Sequence, residues 1–292
     1  MTNSVSELAP AKINLFLHIL GRRPDGYHEL QSLVVFADTG DVVHAEAAPE
    51  WSLRIDGPFA EKLAAETPND NLILRAARRL PLPTGQAAAL TLDKRLPVAA
   101  GIGGGSADAA ATLRSLHRLL GADLGEPAEW ADLGGDIPVC LDSQPSLVES
   151  MGEKVQPAHG LPDLPAVLVN PAVPSGTGAV FQALNGRFGA PHPAPLPSPA
   201  ICGSIESLAA WLAEARNDLT RPAIEITPSI GEVLAALSAA PDALLARMSG
   251  SGATCYGLFP SARAAAEAAL WIASRAPGWW VKPAILRGSP SV

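Results

Sequence analysis

The most informative stretch of the chain is Leu96-Pro97-Val98-Ala99-Ala100-Gly101-Ile102-Gly103-Gly104-Gly105-Ser106-Ala107-Asp108-Ala109-Ala110, in which a glycine-rich loop runs directly into an alanine-rich segment. Four glycines are followed by an alanine-rich run with leucines at helical spacing, which predicts a helix that starts near Ser106 and has one apolar face. Glycines let the backbone approach a ligand. A helix start offers unpaired N–H groups and partial positive charge. The stretch therefore predicts an anion site, most often one for phosphate.

Other glycine-rich loops fit this stretch less well. No Gly-Lys-Ser/Thr follows the glycines, so it is not a Walker A loop. A dinucleotide fold needs an acidic residue at the end of the next strand, about 20 residues on, whereas Asp123 follows a helix in a glycine turn. A glycine turn that merely caps a core helix is the plainer alternative.

Composition limits the class of protein. A chain of 292 residues suggests two domains. The net charge of −8 argues against nucleic acid or membrane headgroups as partners, so an anionic substrate needs a local positive site. No run of 18 apolar residues and no signal peptide is seen. Three scattered cysteines favour a reducing cytoplasm, and neither cysteines nor histidines have metal-ligand spacing, so we expect no protein metal site.

The segment from Lys12 to Ile19 alternates strictly and predicts a β-strand. Its isoleucines and leucines face one way, whereas Lys12 and Asn14 share the other face, about 7 Å apart. Strand statistics alone make that polar face solvated. The same two side chains are also well placed to reach a phosphate or a hydroxyl.

Several shorter signals follow along the chain. Pro24-Asp25-Gly26 predicts a turn, after which Tyr27 and His28 either stack on and bond a base or form an ordinary surface hairpin. Pro68–Leu72 predicts a helix start with asparagine and aspartate as capping candidates. Residues 90–94 predict a strand that leads into the glycine loop. Thr177 is a candidate cap. Residues 186–200 are rich in proline and predict an exposed loop, to which we assign no chemistry.

The motif Pro97-x-x-x-Gly101-x-Gly103-Gly104-Gly105-Ser106-x-Asp108-Ala109-Ala110 resembles the phosphate loop of the GHMP kinases. Leu133-Gly134-Gly135-Asp136-Ile137-Pro138 and Met248–Thr254 resemble further motifs of that family, although Gly135 replaces the usual alanine. The opening Pro10-Ala-Lys-Ile-Asn-Leu and Gly21-Arg-Arg-Pro-Asp-Gly-Tyr-His-Glu-Leu resemble the branch that acts on a cytidyl diphosphate sugar alcohol.

The resemblance implies an α+β, two-domain GHMP kinase fold with the active site between the domains. The N-terminal domain (1–155) would be ribosomal protein S5 domain 2-like. The C-terminal domain (156–292) would be ferredoxin-like, and its last strand could return to the first domain. The implied activity is that of a phosphotransferase with an alcohol acceptor. It would use ATP with Mg²⁺ to phosphorylate the 2-hydroxyl of 4-diphosphocytidyl-2-C-methyl-D-erythritol, in the non-mevalonate isoprenoid pathway. We expect a monomer or homodimer.

The resemblance also assigns roles. It makes Asp136 the base and Lys12 the cation that stabilises developing charge, where an aspartate in a glycine turn is otherwise only a turn residue. Tyr27 and Phe181 would sandwich the cytosine, with His28 and Asn14 supplying polar contacts. The nucleotide would lie near Asn71, Lys94, Pro97, Gly101, Ile102, Gly103, Gly104, Gly105, Ser106 and Ala107. Lys94 as a plain lysine at a strand end is the alternative.

Three other functions remain open at this point. Another GHMP kinase for a small alcohol is disfavoured by the Tyr27-His28 segment, because such a substrate has no base to stack. A non-catalytic nucleotide-binding member is disfavoured by the retention of both Lys12 and Asp136. A nicotinamide oxidoreductase is disfavoured by the missing acidic strand end.

Overall fold

The structure is a computed structural model that describes residues 4–63, 70–83 and 85–289. Strands and helices alternate along the chain, so the predicted α+β class is confirmed. The chain forms two compact units that are interleaved in sequence. The first comprises residues up to Ala11, Gly40–Val98 and Gly103–Ser143; the second comprises Lys12–Thr39, Ala99–Ile102 and the chain from Gln144 onward. The single domain boundary near residue 155 stays a prediction.

The first unit is built on the paired ends of long strands. Strand β2 (His28–Ala48) runs through both units, and its residues Val42–Ala48 pair antiparallel with β4 (Ala87–Asp93). Strand β3 (Ser52–Asp56) pairs parallel with β4. The α-helices of this unit are α1 (Leu72–Arg79), α2 (Gly104–Leu120) and α3 (Ile137–Asp142), with 3-10 turns at Ala60–Leu63 and Pro127–Trp130.

The ends of α1 and α2 follow from their sequences. Asn71 caps α1, because its side chain accepts a hydrogen bond from the amide of Ile73. Pro68 and Asn69 lie outside the described residues. Helix α2 begins at Gly104, two residues earlier than the apolar pattern indicates, because Gly103 takes a left-handed conformation (φ 65°) that only a residue without a Cβ adopts easily.

The second unit is an antiparallel sheet covered by helices. Its strands run in the order β2, β10 (Trp280–Arg287), β7 (Leu164–Asn170), β9 (Cys255–Leu258) and β8 (Leu245–Met248), and β5 (Ser146–Ser150) joins β2 to β6 (Lys154–Pro157). The helices are α4 (Thr177–Ala183), α5 (Ile205–Ala213), α6 (Thr220–Ile226), α7 (Ser229–Ala239) and α8 (Ala262–Arg275). Apolar side chains of β7, β9, α7 and α8 form its core.

Strand β1 (Ser4–Arg22) is longer than the alternation predicts. The prediction from strand statistics that its polar face is solvated is wrong. Lys12, Asn14, Phe16 and His18 are all 5% exposed or less. Alternation identifies side chains that share a face, but it carries no information on what later segments of the chain pack there. In this chain a later segment covers Phe16 and His18.

That segment is the proline-rich stretch, so its prediction as an exposed loop is wrong in part. The buried ring of His192 stacks on Phe16 with centroids 5.5 Å apart and lies 5.9 Å from His18. Burial lowers the pKa of His18 to about 4, with the positive charge of Arg216 contributing. Thr177 is also not a cap; Gly176 holds that position, and Thr177 exchanges a hydrogen bond with Ser251. Within the described ranges, no helix is long and apolar enough to cross a membrane.

Candidate active site

The first half of the glycine loop belongs to the second unit and packs against the small-residue turn after β8. A Cβ on Gly101 would lie 2.6 Å from the carbonyl oxygen of Gly252, too close for any other residue. The amide of Thr254 donates to Ala100 O at 3.0 Å, and the amide of Lys12 donates to Ile102 O at 2.9 Å. Gly101 and Ile102 are therefore held between β1 and the turn, which explains why a glycine is needed at 101.

The turn itself is fixed by polar side chains. Ser249 Oγ donates to Gly101 O and accepts from the amide of Asn14, both at 3.1 Å. The amide group of Asn217 donates to Met248 O and Gly250 O, both at 2.8 Å. These bonds join the turn to three other segments that are distant in sequence, so motifs that resemble those of one family meet in space.

Lys12 and Asn14 lie side by side in β1, as the alternation predicts. Lys12 Nζ donates to Asn14 Oδ1 at 3.3 Å. The Asn14 amide nitrogen donates to Ser32 Oγ at 2.7 Å, and Ser32 donates onward to Phe16 O at 2.6 Å. Because this chain fixes which way the Asn14 amide points, it presents its oxygen toward the ammonium group of Lys12.

The second half of the loop belongs to the first unit and forms the start of α2. The amide of Ala107 donates to Gly103 O at 2.8 Å, so the amides of Gly104, Gly105 and Ser106 precede that first intrahelical bond. Gly105 is exposed. Exposed amides with the positive end of a 17-residue helix behind them suit the phosphates of a nucleotide.

Asp136 occupies the N-cap position of α3 in the same unit. The glycine turn before it lies beside the start of α2, because a Cβ on Gly134 would be 3.4 Å from Ser106 Oγ. Pro97 and Ala107 are buried in this unit, and Asn71 is buried at the cap of α1. The first unit thus brings the turn that carries Asp136 next to the start of α2.

Lys94 lies in a buried ion cluster that the sequence did not predict. Its Nζ donates to Asp41 Oδ2 at 2.6 Å and to Asp108 Oδ2 at 2.7 Å. Asp41 Oδ1 also accepts from the amides of Arg95 and Leu96. Burial raises the pKa of Asp108 to about 7, and its Oδ1 has no hydrogen-bond partner in the part of the chain that is described. Contact of Lys94 with a nucleotide stays a prediction.

An aromatic cavity of about 690 Å³ lies within the second unit. Tyr27, which is 65% exposed, His28 and Phe181 all line it. The rings of His28 and Phe181 are 4.9 Å apart. Burial and the nearby Arg22 lower the pKa of His28, which favours the neutral ring with one donor and one acceptor. The structure therefore brings together three of the four residues assigned to the acceptor substrate; Asn14 does not line this cavity.

Sequence reasoning missed the roles of Asp41, Ser32 and Phe188. Asp41 and Ser32 both lie within strand β2, and neither carries a local signal in the sequence. Phe188 lines the aromatic cavity but lies in the proline-rich segment to which no chemistry was assigned. Asp108 belongs to the glycine motif, and an aspartate on the apolar face of a helix was the one available signal of a buried charge.

Comparisons with known proteins agree with this geometry. Residues 71–146 match the family described as GHMP kinases N terminal domain, and residues 199–274 match GHMP kinases C terminal. The chain is 54% identical over 281 residues to a 4-diphosphocytidyl-2-C-methyl-D-erythritol kinase of Cereibacter sphaeroides, covering 96% of this chain and 98% of that one. A kinase of the same name from Parvibaculum lavamentivorans is 49% identical, covering 97% and 98% of the two chains.

Solved structures lead to the same group. The crystal structure of a 4-(cytidine 5'-diphospho)-2C-methyl-D-erythritol kinase superposes with a TM-score of 0.75 at 30% identity, covering 97% of this chain and all of that one. A homoserine kinase from Cytophaga hutchinsonii shares the fold, with a TM-score of 0.65 at 17% identity. The predicted two-domain GHMP kinase fold is thereby confirmed. The chain belongs to the GHMP kinases and, within them, to the family of 4-diphosphocytidyl-2-C-methyl-D-erythritol kinases.

Proposed function

We propose that this kinase transfers the γ-phosphoryl group of ATP to the 2-hydroxyl of 4-diphosphocytidyl-2-C-methyl-D-erythritol. The observation that carries the proposal is the aromatic cavity lined by Tyr27, His28 and Phe181. A planar base fits such a cavity, whereas mevalonate and homoserine have no ring to stack. The names of the similar kinases support the same acceptor.

In this proposal the acceptor is recognised through its cytosine. Tyr27 and Phe181 pack against the faces of the base, and the neutral ring of His28 exchanges hydrogen bonds with its polar edge. Neutral His28 matters because a cationic ring has no acceptor. Asn14 bonds a polar group of the acceptor through its amide, whose orientation Ser32 fixes.

Phosphoryl transfer depends on alignment and charge stabilisation more than on covalent chemistry. We assign Asp136 as the base that accepts the proton of the attacking hydroxyl. We assign Lys12 to the charge that develops on the transferred group, with Asn14 Oδ1 restricting the position of its ammonium. Both assignments rest on the motif resemblance and on the placement of each residue within its own unit.

The start of α2 fits the phosphates of ATP, since Gly103 has a positive φ and the amides of Gly104, Gly105 and Ser106 precede the first helical bond. Mg²⁺ prefers oxygen ligands and keeps several water molecules, so we propose that it enters on the phosphate oxygens of ATP. When bound, the metal would neutralise phosphate charge. We further place the enzyme in the cytoplasm, as a monomer or homodimer without nucleic acid or membrane partners, on its three scattered cysteines and acidic surface.

The test is release of ADP by the full chain with Mg²⁺–ATP and one acceptor at a time: the cytidyl substrate, mevalonate or homoserine. We expect release with the cytidyl substrate alone, and none with the Asp136→Asn variant as blank. Release with mevalonate or homoserine instead would leave a GHMP kinase of different specificity. No release with any acceptor, despite ATP binding, would favour a non-catalytic member.

A further inference from the structure

The proline-rich segment adds an aromatic side chain to the cavity. The ring of Phe188 meets His28 edge-on, with centroids 6.1 Å apart and planes at 61°. His28 also packs against Phe181, with ring centroids 4.9 Å apart. His28 thus contacts the rings of both Phe181 and Phe188, and all three residues line the cavity.

Phe188 is held in place from both sides. The guanidinium group of Arg187 pairs with both carboxylate oxygens of Glu225, at 3.2 and 3.1 Å. The amide of Gly189 donates to Ile19 O in β1 at 2.9 Å. The guanidinium of Arg216 also packs closely on Gly189 and donates a hydrogen bond to Ala190 O. The position of Phe188 is thus set by its neighbours, although its own ring is 40% exposed.

A second anchor lies four residues further on. The amide of His192 donates to Gln31 Oε1 at 2.8 Å, and Gln31 in turn donates to Glu149. The His192 ring is buried against Phe16 and Trp211, with centroids 5.5 and 4.9 Å away. Gly189 and His192 are therefore both hydrogen-bonded to strands of the second unit. These bonds restrict the position of the adjacent Phe188.

Exposed apolar surface is concentrated at this cavity. Among the described residues seven large hydrophobic side chains are exposed, and three of them, Tyr27, Met151 and Phe188, line it. Clustered exposed rings in a concave site mark a place where a ligand completes the packing. A phenylalanine needed only for folding would be buried on all sides instead.

We propose that Phe188 is a further specificity-determining residue, which packs on the nucleoside part of the acceptor and favours cytidine diphosphate-linked acceptors over those without a base. The inference rests on the proposed function, since it assigns a third ring to the same base site. Phe188 covers one side of His28 and excludes water from the hydrogen bonds that His28 makes to the base. Selection by the enzyme therefore depends on a segment that has no motif.

The test is steady-state kinetics of the full chain with the acceptor varied at saturating Mg²⁺–ATP. We expect Phe188→Ala to raise KM for the cytidyl substrate about fivefold to tenfold, because base–aromatic stacking is lost. KM for ATP, kcat and the melting temperature should stay near wild type. Phe188→Tyr should restore the wild-type KM, and Phe188→Leu should fall between them. Leu270→Ala, at an exposed apolar position on α8, is the matched control and should change nothing.

Binding of cytidine diphosphate alone, measured by calorimetry, should weaken by a similar factor in Phe188→Ala. An unchanged acceptor KM in Phe188→Ala, while Tyr27→Ala raises it, would overturn this inference and leave the proposed function intact. If neither variant raised it, the base site itself would be wrong. A lowered melting temperature with equal effects on both KM values would show Phe188 to be structural only, and would also overturn the inference.

Discussion

The buried ion cluster of the first unit and the aromatic cavity of the second differ in how they place charged and apolar side chains. In the first, Lys94 is enclosed by two carboxylates, beside a helix start that offers backbone amides to an anion. In the second, Tyr27, His28 and Phe181 leave ring surface exposed around a cavity. Charged groups are buried only where they are paired, because their desolvation costs free energy. Aromatic rings carry no such desolvation penalty and can stay partly exposed in the absence of a ligand. The comparison implies that damage to the first unit reduces chemistry or stability, and damage to the cavity reduces selection of the acceptor.

The largest expected effect comes from Asp136, on the charged side of this comparison. Asp136→Asn keeps the shape of the side chain but cannot accept a proton, so we expect kcat to fall about 10²- to 10⁴-fold. KM for either substrate should change little. ADP release measures this directly. Asp142→Asn, an exposed carboxylate at the other end of α3, is the control; near-wild-type turnover of Asp136→Asn would make the assignment wrong.

The next prediction tests whether the ion cluster stabilises the folded protein. Lys94→Met leaves two buried carboxylates without their cation, so we expect the free energy of unfolding to drop by about 3–5 kcal/mol in urea titration. Adding Asp108→Asn to that variant should recover part of the loss, since it removes one stranded charge. Lys62→Met, at an exposed lysine of the same unit, should have almost no effect. Equal stability of Lys94→Met and wild type would contradict the cluster's role.

In the second unit, His18 is expected to make the stability of the fold depend on pH. Its pKa is lowered from about 6.5 to about 4 in the folded protein, so the unfolded chain binds more protons between those values. Stability contributed by neutral His18 is therefore complete above pH 6.5 and is lost as pH falls toward 4, by about 3 kcal/mol in all.

Unfolding in urea at several pH values would reveal this loss. The slope should be reduced in His18→Gln and retained in His159→Gln, since His159 is exposed. An identical pH profile for His18→Gln and wild type would mean that another group is responsible.

The smallest of these effects concerns the cavity directly. Tyr27→Ala removes one stacking ring, so we expect KM for the cytidyl substrate to rise about tenfold, equivalent to ~1.4 kcal/mol. KM for ATP should remain unchanged, because Tyr27 belongs to the second unit, whereas the helix start that we propose for the phosphates of ATP belongs to the first. Equal increases in KM for ATP and for the cytidyl substrate would contradict the assignment of acceptor recognition to the cavity alone. Leu270→Ala again serves as the control.

Short-range signals explain what the sequence could predict. The turn at Pro24–Gly26, the cap of α1 by Asn71 and the helix after the glycines each depend on residues a few positions apart, so local stereochemistry determines them. The family can also be predicted from the sequence, because its motifs are contiguous stretches of residues. The start of α2 was placed two residues late, since apolar periodicity does not register glycines that already have helical geometry.

Neighbouring residues are enough to predict the class of fold, the glycine loop with the helix after it, and the family, because each of these depends on short stretches of sequence. Only the tertiary structure decided which polar side chains are buried and what they contact. Asp41 and Lys94 are 53 positions apart, and Asn14 and Ser249 are 235 apart. Contacts at such separations depend on how strands pair and helices pack. No local signal therefore predicts that Lys94 pairs with Asp41, that the polar face of β1 is buried or that Phe188 lines the cavity.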